Sequence, residues 1–297
     1  MTSFPSRDRD ARPLDALPRS DALRVMLASH RAAIDTIAGA IDEIDAAADV
    51  VAEAIARGGR LVYAAAGSSG LMALSDASEL PGTFGIDPSQ IRLVMAGGVP
   101  VDARMPGATE DLTEEARDAA GDVAAGDVAI VISASGTTPF ALAFAETAAG
   151  NGARVIAISN RSGSPLLELA DIAIALPTAP EVVAGSTRLG AGTAQKVALN
   201  MISTQAGILL GHVHDGLMVN LIPDNAKLRD RASGIVMQVT GVSREDADAA
   251  IAMAGPDTKR AILIASGATP DRARDLLARH RGRVGDALAA LNDKTRN

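Results

Sequence analysis

Short apolar segments alternate with helical segments through the middle of the chain, and this alternation restricts the possible folds more than any other feature. Five segments rich in Val and Ile predict strands at 60–65, 91–96, 128–133, 154–159 and 172–176. Helical patterns such as those over 139–151 and 164–170 lie between most of them. Continuous apolar strands separated by helices indicate a parallel sheet covered on both faces, and such sheets bind ligands at the carboxyl ends of their strands.

The composition fits an α/β fold of this kind. The chain has 297 residues, 47% of them hydrophobic and only 2% aromatic, with no Trp and a single Tyr, so Ala, Val, Leu and Ile must build the core. The length fits one large domain with a smaller addition. We expect an N-terminal arm and helices over 1–46, the α/β domain over 47–232 and a C-terminal helical module over 233–297.

Helices outside the sheet region follow from the same periodicity. Ser20 is predicted to cap a first helix, and a second is predicted over 47–57. Residues 1–19, which precede them, are interpreted as an arm that is ordered only by contact with something else. After a long helix over 190–210 and an extended segment over 217–222, helices are predicted over 234–239, 243–254, 271–278 and 287–291, with Ser243 and Asp246 as a cap.

Charge and residue counts argue against several classes of function. The net charge of −8 and the pI near 5.0 argue against a nucleic-acid partner, which would require a basic face. No apolar run is long enough to span a membrane, and the N-terminal residues lack the apolar segment of a signal peptide, so we expect a cytoplasmic protein. The absence of Cys and of a ligand spacing among the four His argues against disulfides and a zinc site.

The turn Gly67-Ser-Ser-Gly70 is the first candidate binding loop. It follows the apolar run 61–65 and precedes a helix predicted over 71–78. Backbone N–H groups at a helix N-terminus carry a partial positive charge, and Ser68 and Ser69 add hydroxyl donors. The loop therefore suits a phosphate or another anion.

Glu79 is a candidate catalytic residue on the same unit. Pro81-Gly82 is predicted to end the helix, which places Glu79 at its C-terminal end. A carboxylate gains nothing from the helix dipole there, so its position needs another reason. Catalysis is one such reason.

The segment Ser133-Ala-Ser-Gly-Thr-Thr-Pro139 is a second candidate anion loop. It follows a strand and opens a helix with Thr138 as N-cap and Pro139 as the first helical residue. Ser133, Ser135 and Thr138 supply hydroxyls. Either loop alone could serve only to cap its helix, but two such loops at strand ends of one sheet favour a phosphorylated ligand.

A third stretch, residues 181–196, again places Gly, Ser and Thr ahead of a helix. Glu181 could contact a sugar hydroxyl, and Ser186 precedes the helix. Lys196 either faces a carboxylate or points to solvent. His212 and His214 follow the long helix, where the dipole favours a cation, and both a structural and a ligand role stay open for them.

Several of these strings together carry a family resemblance. They are Gly67-Ser-Ser-Gly70, Asp76-Ala-Ser-Glu-Leu-Pro-Gly-Thr-Phe-Gly85, Ser133-Ala-Ser-Gly-Thr-Thr-Pro139, Glu181-Val-Val-Ala-Gly-Ser-Thr-Arg188, Ala191-Gly-Thr-Ala-Gln-Lys196, Leu199-Asn-Met201 and Asn225-Ala-Lys-Leu-Arg229. Over nearly the whole chain the sequence resembles the N-acetylmuramic acid 6-phosphate etherases of the sugar-isomerase (SIS) superfamily.

The resemblance implies a fold and an activity. It implies a three-layer αβα SIS fold with a central parallel sheet, N-terminal helices and a small C-terminal helical module. It implies cleavage of the D-lactyl ether of N-acetylmuramic acid 6-phosphate, giving N-acetylglucosamine 6-phosphate and D-lactate, as in peptidoglycan recycling. The family needs no metal or organic cofactor, and its SIS domains usually form homodimers.

The resemblance also implies site residues. The Glu of the Asp-Ala-Ser-Glu string, Glu79, corresponds to the general acid. The second family carboxylate aligns with Glu110 after a shift of one residue, whereas a different gap places Thr109 there. The residues expected to bind the sugar phosphate are Ser68, Ser69, Ser133, Ser135, Thr138, Glu181, Ser186 and Lys196.

Three positions depart from the family pattern. Leu71 and Thr137 stand where Arg is usual, and Gly190 stands where Lys is usual. The family substrate carries a phosphate and a carboxylate, so the loss of three cations should weaken anion binding or change the ligand. Two alternatives therefore stay open: a sugar-phosphate-binding regulator without catalysis, and an isomerase or lyase acting on another sugar phosphate.

Overall fold

A computed structural model describes residues 12–223 and 225–293, and the chain divides into two compact units. The first unit contains the chain up to Ala77 together with Ser89–Ser203. The second contains Ser78–Pro88 and the chain from Thr204 onward. Of the arm predicted over 1–19, residues 1–11 lie outside the described residues, whereas Leu14–Ala16 form a short 3₁₀ helix and Arg19 begins the first α-helix. The predicted domain boundaries stay a prediction.

The first unit contains a five-stranded parallel sheet in the order β2-β1-β3-β4-β5. Its strands are β1 (Leu61–Ala65), β2 (Ile91–Met95), β3 (Val128–Ser133), β4 (Arg154–Ser159) and β5 (Ile172–Ala175). All five predicted strands are confirmed, with ends within one residue. The sequence shows them clearly because side chains on both faces of a covered sheet are apolar.

Helices cover both faces of this sheet. The helices up to residue 209 are α1 (Arg19–Asp35), α2 (Ile41–Ala56), α3 (Gly67–Phe84), α4 (Thr113–Ala120), α5 (Pro139–Gly150), α6 (Pro165–Glu168) and α7 (Gly190–Leu209), of which α2, α5 and α6 pack directly against strands. Val62 and Ala64 of β1 lie in one buried cluster with Phe140 of α5, whereas the alternate residue Tyr63 is buried on the opposite face. Because α2 also packs against β1 and β3, the predicted three-layer αβα fold is confirmed.

The order of the strands creates a crevice at the carboxyl edge of the sheet. Strand β1 leads to β2 on one side, and β3 leads to β4 on the other, so the order reverses between β1 and β3. Ala65 pairs with Ile132 at the ends of these two strands. Open α/β sheets bind ligands at such a switch point. The two predicted anion loops both begin here.

Helix α3 differs from the prediction at both ends. Gly67-Ser-Ser-Gly70 is the first turn of the helix rather than a separate turn, and Pro81 lies inside the helix rather than ending it. First-turn N–H groups need no helical acceptor, so small polar residues are tolerated there. Pro81 removes one N–H donor from the helix. The helix nevertheless continues to Phe84, because Leu80 and Phe84 on either side of Pro81 are buried and their packing stabilises it.

The N-terminal helices also have different ends. Helix α1 begins at Arg19 after Pro18, so Ser20 lies inside the helix and is not its cap. The second helix begins at Ile41 rather than at residue 47, after a short 3₁₀ segment at Thr36–Ala40. The apolar period runs through this break, because Ile37, Ala40 and Ile44 are all buried. Periodicity alone therefore could not locate it.

The second unit contains a hairpin followed by helices. The elements are β6 (Val213–His214), β7 (Leu217–Met218), α8 (Ala226–Thr240), α9 (Arg244–Ala254), α10 (Thr258–Ala265), α11 (Pro270–Arg279) and α12 (Val284–Asp293). Asp215 and Gly216 both have positive φ, as a two-residue hairpin turn requires. Of the extended segment predicted over 217–222, only Leu217–Met218 forms a strand, and its partner Val213–His214 was not predicted.

The helical prediction for this unit holds in outline. Ser243 accepts a hydrogen bond from the Asp246 backbone N–H, so the predicted cap is confirmed. Helix α10 was missed because its run Ala261-Ile-Leu-Ile264 is apolar without an amphipathic period; all four residues are buried.

Candidate active site

The first loop presents the start of α3 to the crevice. Gly67 has φ +56, which lets the chain turn directly from β1 into the helix. Ser69 is buried and Ser68 is half-buried. A Cβ on Gly70 would lie 2.9 Å from Met95 Sδ, so the helix start is pressed against the end of β2. The predicted anion site is thus the N-terminus of a helix of 18 residues.

The hydroxyls of the second loop form a connected cluster. Ser133 Oγ accepts a hydrogen bond from Gly136 N at 3.0 Å and lies 2.8 Å from Thr138 Oγ1. Ser135 is exposed and accepts from the backbone N–H and the hydroxyl of Thr137. Thr138 occupies the N-cap position as predicted, but its side chain makes no capping bond because it pairs with Ser133.

Gly136 shapes this loop because it has no side chain. Its φ is +65, and a Cβ at this position would lie 2.1 Å from Ser164 Oγ and 2.7 Å from Ser159 Oγ. These two hydroxyls are hydrogen-bonded to each other at 3.1 Å. The loop therefore packs directly on a buried hydroxyl pair formed by the last residue of β4 and by Ser164 after it.

An L residue with a side chain loses about 1–2 kcal/mol in the left-handed backbone conformation of Gly136. Gly136→Ala should lower the free energy of unfolding by more than this, because the new methyl group also collides with Ser164. Gly163→Ala is the matched control, since Gly163 has φ +61 but nothing within 4 Å of its Cβ position. Urea denaturation of both variants measures the difference. Equal losses in the two variants would contradict the collision.

Glu110 lies beside both loops. Its Oε1 is 3.3 Å from the Cβ position of Gly67, and its backbone carbonyl accepts a hydrogen bond from Phe140 N at 2.9 Å, just after the second loop. Thr109, the alternative, lies against Gly97 instead, where a Cβ on Gly97 would come within 2.5 Å of its methyl group. Of the two, Glu110 is thus the side chain that reaches the first loop.

Asp76 is a buried carboxylate for which no role was predicted from the sequence. It is 3% exposed and accepts hydrogen bonds from Tyr63 Oη at 2.7 Å, Asn200 Nδ2 at 2.7 Å and Ser203 Oγ at 2.9 Å. Glu79 is exposed and follows three residues later in α3. One signal of it in the sequence is Tyr63, a lone Tyr in an otherwise apolar strand, because a buried hydroxyl requires a hydrogen-bond partner.

The third stretch holds the start of α7. Glu181 Oε2 accepts from Gly190 N at 2.9 Å and Oε1 accepts from Ala191 N at 3.0 Å, so this carboxylate caps the helix. Ser186 is half-buried in the preceding turn. Lys196 is exposed, and no hydrogen bond or ion pair links it to another residue of the described ranges, which favours the solvent-facing alternative.

Two further polar side chains of this unit lie buried at the sheet edge. Asn160 follows β4, and its Oδ1 accepts from Gln195 Nε2 at 2.8 Å. Asn160 Nδ2 donates to the carbonyls of Leu176 and Ala191. These bonds connect α7 to the ends of β4 and β5, and no sequence pattern predicted them.

The three departures from the family pattern lie in or next to these elements. Leu71 is half-buried in α3, and Thr137 donates its hydroxyl to Ser135 rather than supplying a cation. Gly190 begins α7, and its Cβ position lies 3.3 Å from Glu181 Oε2. The Cβ of a Lys at position 190 would thus lie next to the Glu181 carboxylate.

His212 and His214 lie in the second unit. His212 is largely buried, and its Nδ1 has no hydrogen-bond partner among the described residues. Burial, followed by the nearby Lys259 ammonium, lowers the pKa of His212 from 6.5 to about 4. Burial likewise lowers the pKa of Lys259 to about 8. His212 is therefore neutral at pH 7, which favours the structural alternative.

Lowering the pH from 6.5 to 4 should reduce the free energy of unfolding by up to about 3 kcal/mol through His212. The unfolded chain binds a proton near the ordinary His pKa, whereas the folded chain does not until about pH 4, so this stability is present above pH 6.5 and lost below it. Urea denaturation across this range measures the slope. His212→Gln should flatten it and His280→Gln should not; an unchanged slope in His212→Gln would contradict the assignment.

The described residues contain no candidate metal site and no candidate membrane helix. In residues 12–223 and 225–293, no three His, Cys, Asp or Glu side chains lie close enough together to hold a metal ion. No helix in these ranges is both long and apolar enough to cross a membrane.

Solved structures share the fold. A Bacteroides fragilis protein involved in capsule formation matches with a TM-score of 0.52 and 20% identity, covering 67% of this chain and 95% of that one. An Escherichia coli protein solved in complex with A5P matches with a TM-score of 0.50 and 20% identity, covering 67% and 97%. At this identity the likeness concerns the fold alone.

Sequence relatives identify the family. The model of the SIS domain matches residues 27–160. The N-acetylmuramic acid 6-phosphate etherase of Streptomyces avermitilis is 40% identical over 283 residues, covering 93% of this chain and 90% of the relative. N-acetylmuramic acid 6-phosphate etherase 1 of Vibrio cholerae is 38% identical over 292 residues, covering 97% and 96%. The chain therefore belongs to the N-acetylmuramic acid 6-phosphate etherase family.

Proposed function

We propose that this protein is an N-acetylmuramic acid 6-phosphate etherase, a carbon–oxygen lyase that forms N-acetylglucosamine 6-phosphate and D-lactate by elimination and hydration. The observation that carries the proposal is the placement of Glu110 beside both Ser/Thr loops at the switch point of the sheet. Relatives with this activity in their names, 38–40% identical over more than 90% of the chain, support the same reaction. The reaction would serve the recycling of peptidoglycan amino sugars.

The two loops would hold the 6-phosphate. Ser68 and Ser69 lie in the first turn of α3, where the helix N-terminus favours an anion. The second loop follows β3, the neighbour of β1 in the sheet. Its hydroxyls already form one cluster, which consists of Ser133, Ser135 and Thr138. Hydroxyl and backbone N–H donors can replace much of the hydration that a phosphate loses on binding.

Two carboxyl groups would perform the elimination on the open-chain aldehyde. Glu110 takes the proton from C2, which the neighbouring aldehyde makes acidic, and the resulting electron pair forms a double bond between C2 and C3. The bond between C3 and the lactyl oxygen breaks, and Glu79 donates a proton to that oxygen. Water then adds to C3 and C2 regains a proton, which leaves a hydroxyl at C3.

Residues of the third stretch would contact the sugar. Both oxygens of Glu181 accept from backbone N–H groups of α7, but each keeps a lone pair for a sugar hydroxyl. Ser186 and Lys196 are further candidates, and Lys196 is free to turn toward an anionic group of the substrate.

We also propose a cytoplasmic homodimer. Leu23 and Leu27, one turn apart on α1, are 63% and 52% exposed, as expected for a face that a second copy covers. Light scattering coupled to size exclusion tests the dimer. Charged replacements at both positions should yield monomers, and an unchanged mass would count against α1 as the contact.

The test of function is incubation of purified protein with N-acetylmuramic acid 6-phosphate in water labelled with heavy oxygen. Release of D-lactate, together with label at C3 of the sugar, would establish elimination followed by hydration. The unphosphorylated sugar is the control for the loops, and it should react far more slowly.

Two other outcomes would point elsewhere. Tight binding of a sugar phosphate without any turnover would indicate a regulator. Turnover of a neutral sugar phosphate, without lactate release, would indicate that Leu71, Thr137 and Gly190 have changed the substrate. Either outcome would overturn the proposal.

A further inference from the structure

Asp76 is a buried carboxylate that no step of the proposed reaction uses. It is 3% exposed, and three side chains donate hydrogen bonds to it at 2.7–2.9 Å. A carboxylate removed from water is costly unless donors replace its hydration. Here Oδ1 accepts from Asn200 and Ser203, and Oδ2 accepts from Tyr63, so both oxygens are satisfied.

The donors come from elements that are distant in sequence. Tyr63 lies in β1, whereas Asn200 and Ser203 lie in α7, 124 and 127 residues from Asp76. Asp76 therefore fixes α3 to strand β1 and to helix α7 at the same point. Such a contact restricts both the rotation of α3 about its axis and its movement along it.

Glu79 follows Asp76 by three residues within α3. Three residues correspond to most of a helical turn and to about 4.5 Å along the axis. Because a helix transmits displacement over this distance as a rigid body, the donors of Asp76 set where the Glu79 backbone lies. Proton transfer to a leaving oxygen requires a hydrogen-bond distance, so a small displacement has a large effect on rate.

We propose that Asp76 is a positioning residue for Glu79. It acts through helix α3 and does not touch the substrate. The inference rests on the proposed function of Glu79 as general acid. Its consequence is that loss of the Asp76 charge should reduce kcat more than it affects KM.

Tyr63 provides a readout that does not depend on activity. The chain has one Tyr and no Trp, so Tyr63 alone accounts for the intrinsic fluorescence. Burial and then the negative charge of Asp76 raise the pKa of Tyr63 well above 10. A carboxylate that accepts a hydrogen bond from a phenol quenches its emission, so emission reports directly on the Asp76 contact.

The experiment compares Asp76→Asn with Asp127→Asn. Asp127 is also buried, and it accepts hydrogen bonds from Arg60 and Ala124 just before the start of β3, at the opposite end of the strands from the loops. Steady-state lactate release gives kcat and KM, and emission reports the environment of Tyr63. Denaturation gives the stability of each variant.

We expect Asp76→Asn to lower kcat by about ten- to a hundredfold with little change in KM, and to increase Tyr63 emission. Asp127→Asn should lose stability but keep kcat and emission. Ser203→Ala removes one of the three donors while leaving the carboxylate and Tyr63 in place, so it should give a smaller fall in kcat than Asp76→Asn. It keeps the proposal testable if Asp76→Asn does not fold.

Three results would overturn the assignment. One is wild-type kcat in Asp76→Asn or, if that variant does not fold, in Ser203→Ala. Another is a rise in KM with unchanged kcat, which would place Asp76 in substrate binding. The third is an equal fall of kcat in Asp127→Asn, which would reflect general destabilisation. Absence of lactate release from the unmodified protein would instead overturn the proposed function, and the role of Asp76 with it.

Discussion

Glu79→Gln should reduce kcat for lactate release by about 10²–10⁴-fold, because the amide cannot donate the proton that the departing lactyl oxygen requires. The substitution keeps the size of the side chain and the exposed position in α3, so the fold should be unaffected. Binding of N-acetylmuramic acid 6-phosphate should persist, since the loops proposed to hold its phosphate are unchanged. Lactate release and calorimetric titration measure the two quantities separately.

Glu146→Gln is the matched control for this substitution. Glu146 is an exposed helical Glu on α5, and its replacement should leave kcat unchanged. Exchange of the C2 proton with solvent should continue in Glu79→Gln, because Glu110 still acts there. If Glu79→Gln changes substrate affinity while turnover stays intact, Glu79 is not the acid. If the unmodified protein binds without turnover, the regulator alternative stands.

Glu110→Gln should reduce kcat by a similar factor of about 10²–10⁴, but at the earlier step. The amide cannot accept the C2 proton, so both lactate release and exchange of the C2 proton in deuterated water should be lost together. Nuclear magnetic resonance of the sugar in deuterated water follows the exchange. This loss of both processes distinguishes the base from the acid.

Asp111→Asn is the control for Glu110, since it changes the neighbouring exposed carboxylate. It should keep both lactate release and exchange. Thr109→Ala addresses the other alignment of this loop, and we expect only modest effects because Thr109 packs against Gly97. Wild-type exchange in Glu110→Gln would show that another group removes the proton.

The sheet could be predicted from the sequence because each strand carries its own signal. A strand covered on both faces is apolar at every position, and the five Val- and Ile-rich runs are separated by turn residues and helical periods. Their ends are accurate to one residue. The Ser/Thr loops were predicted for the same reason, since they follow directly from the ends of β1 and β3.

Helix boundaries were less predictable because competing local signals have similar strengths. Pro81 is a breaker in sequence terms, but the burial of Leu80 and Phe84 keeps α3 continuous. At Thr36–Ala40 the apolar period continues through a 3₁₀ segment, so periodicity did not predict the break between α1 and α2. Tertiary packing outweighs local propensity at both places.

The arrangement of the site was decided by the tertiary structure. The sequence by itself determined a doubly covered parallel sheet with two Ser/Thr-rich loops at strand ends, and it indicated a set of candidate carboxylates. The placement of the candidate carboxylates depends on contacts between residues far apart along the chain, such as Glu110 beside Gly67 and Asp76 with Asn200. Local sequence sets the period and the burial of each element. It does not show which distant hydrogen-bond donor will reach a buried oxygen, because that depends on how whole elements pack together.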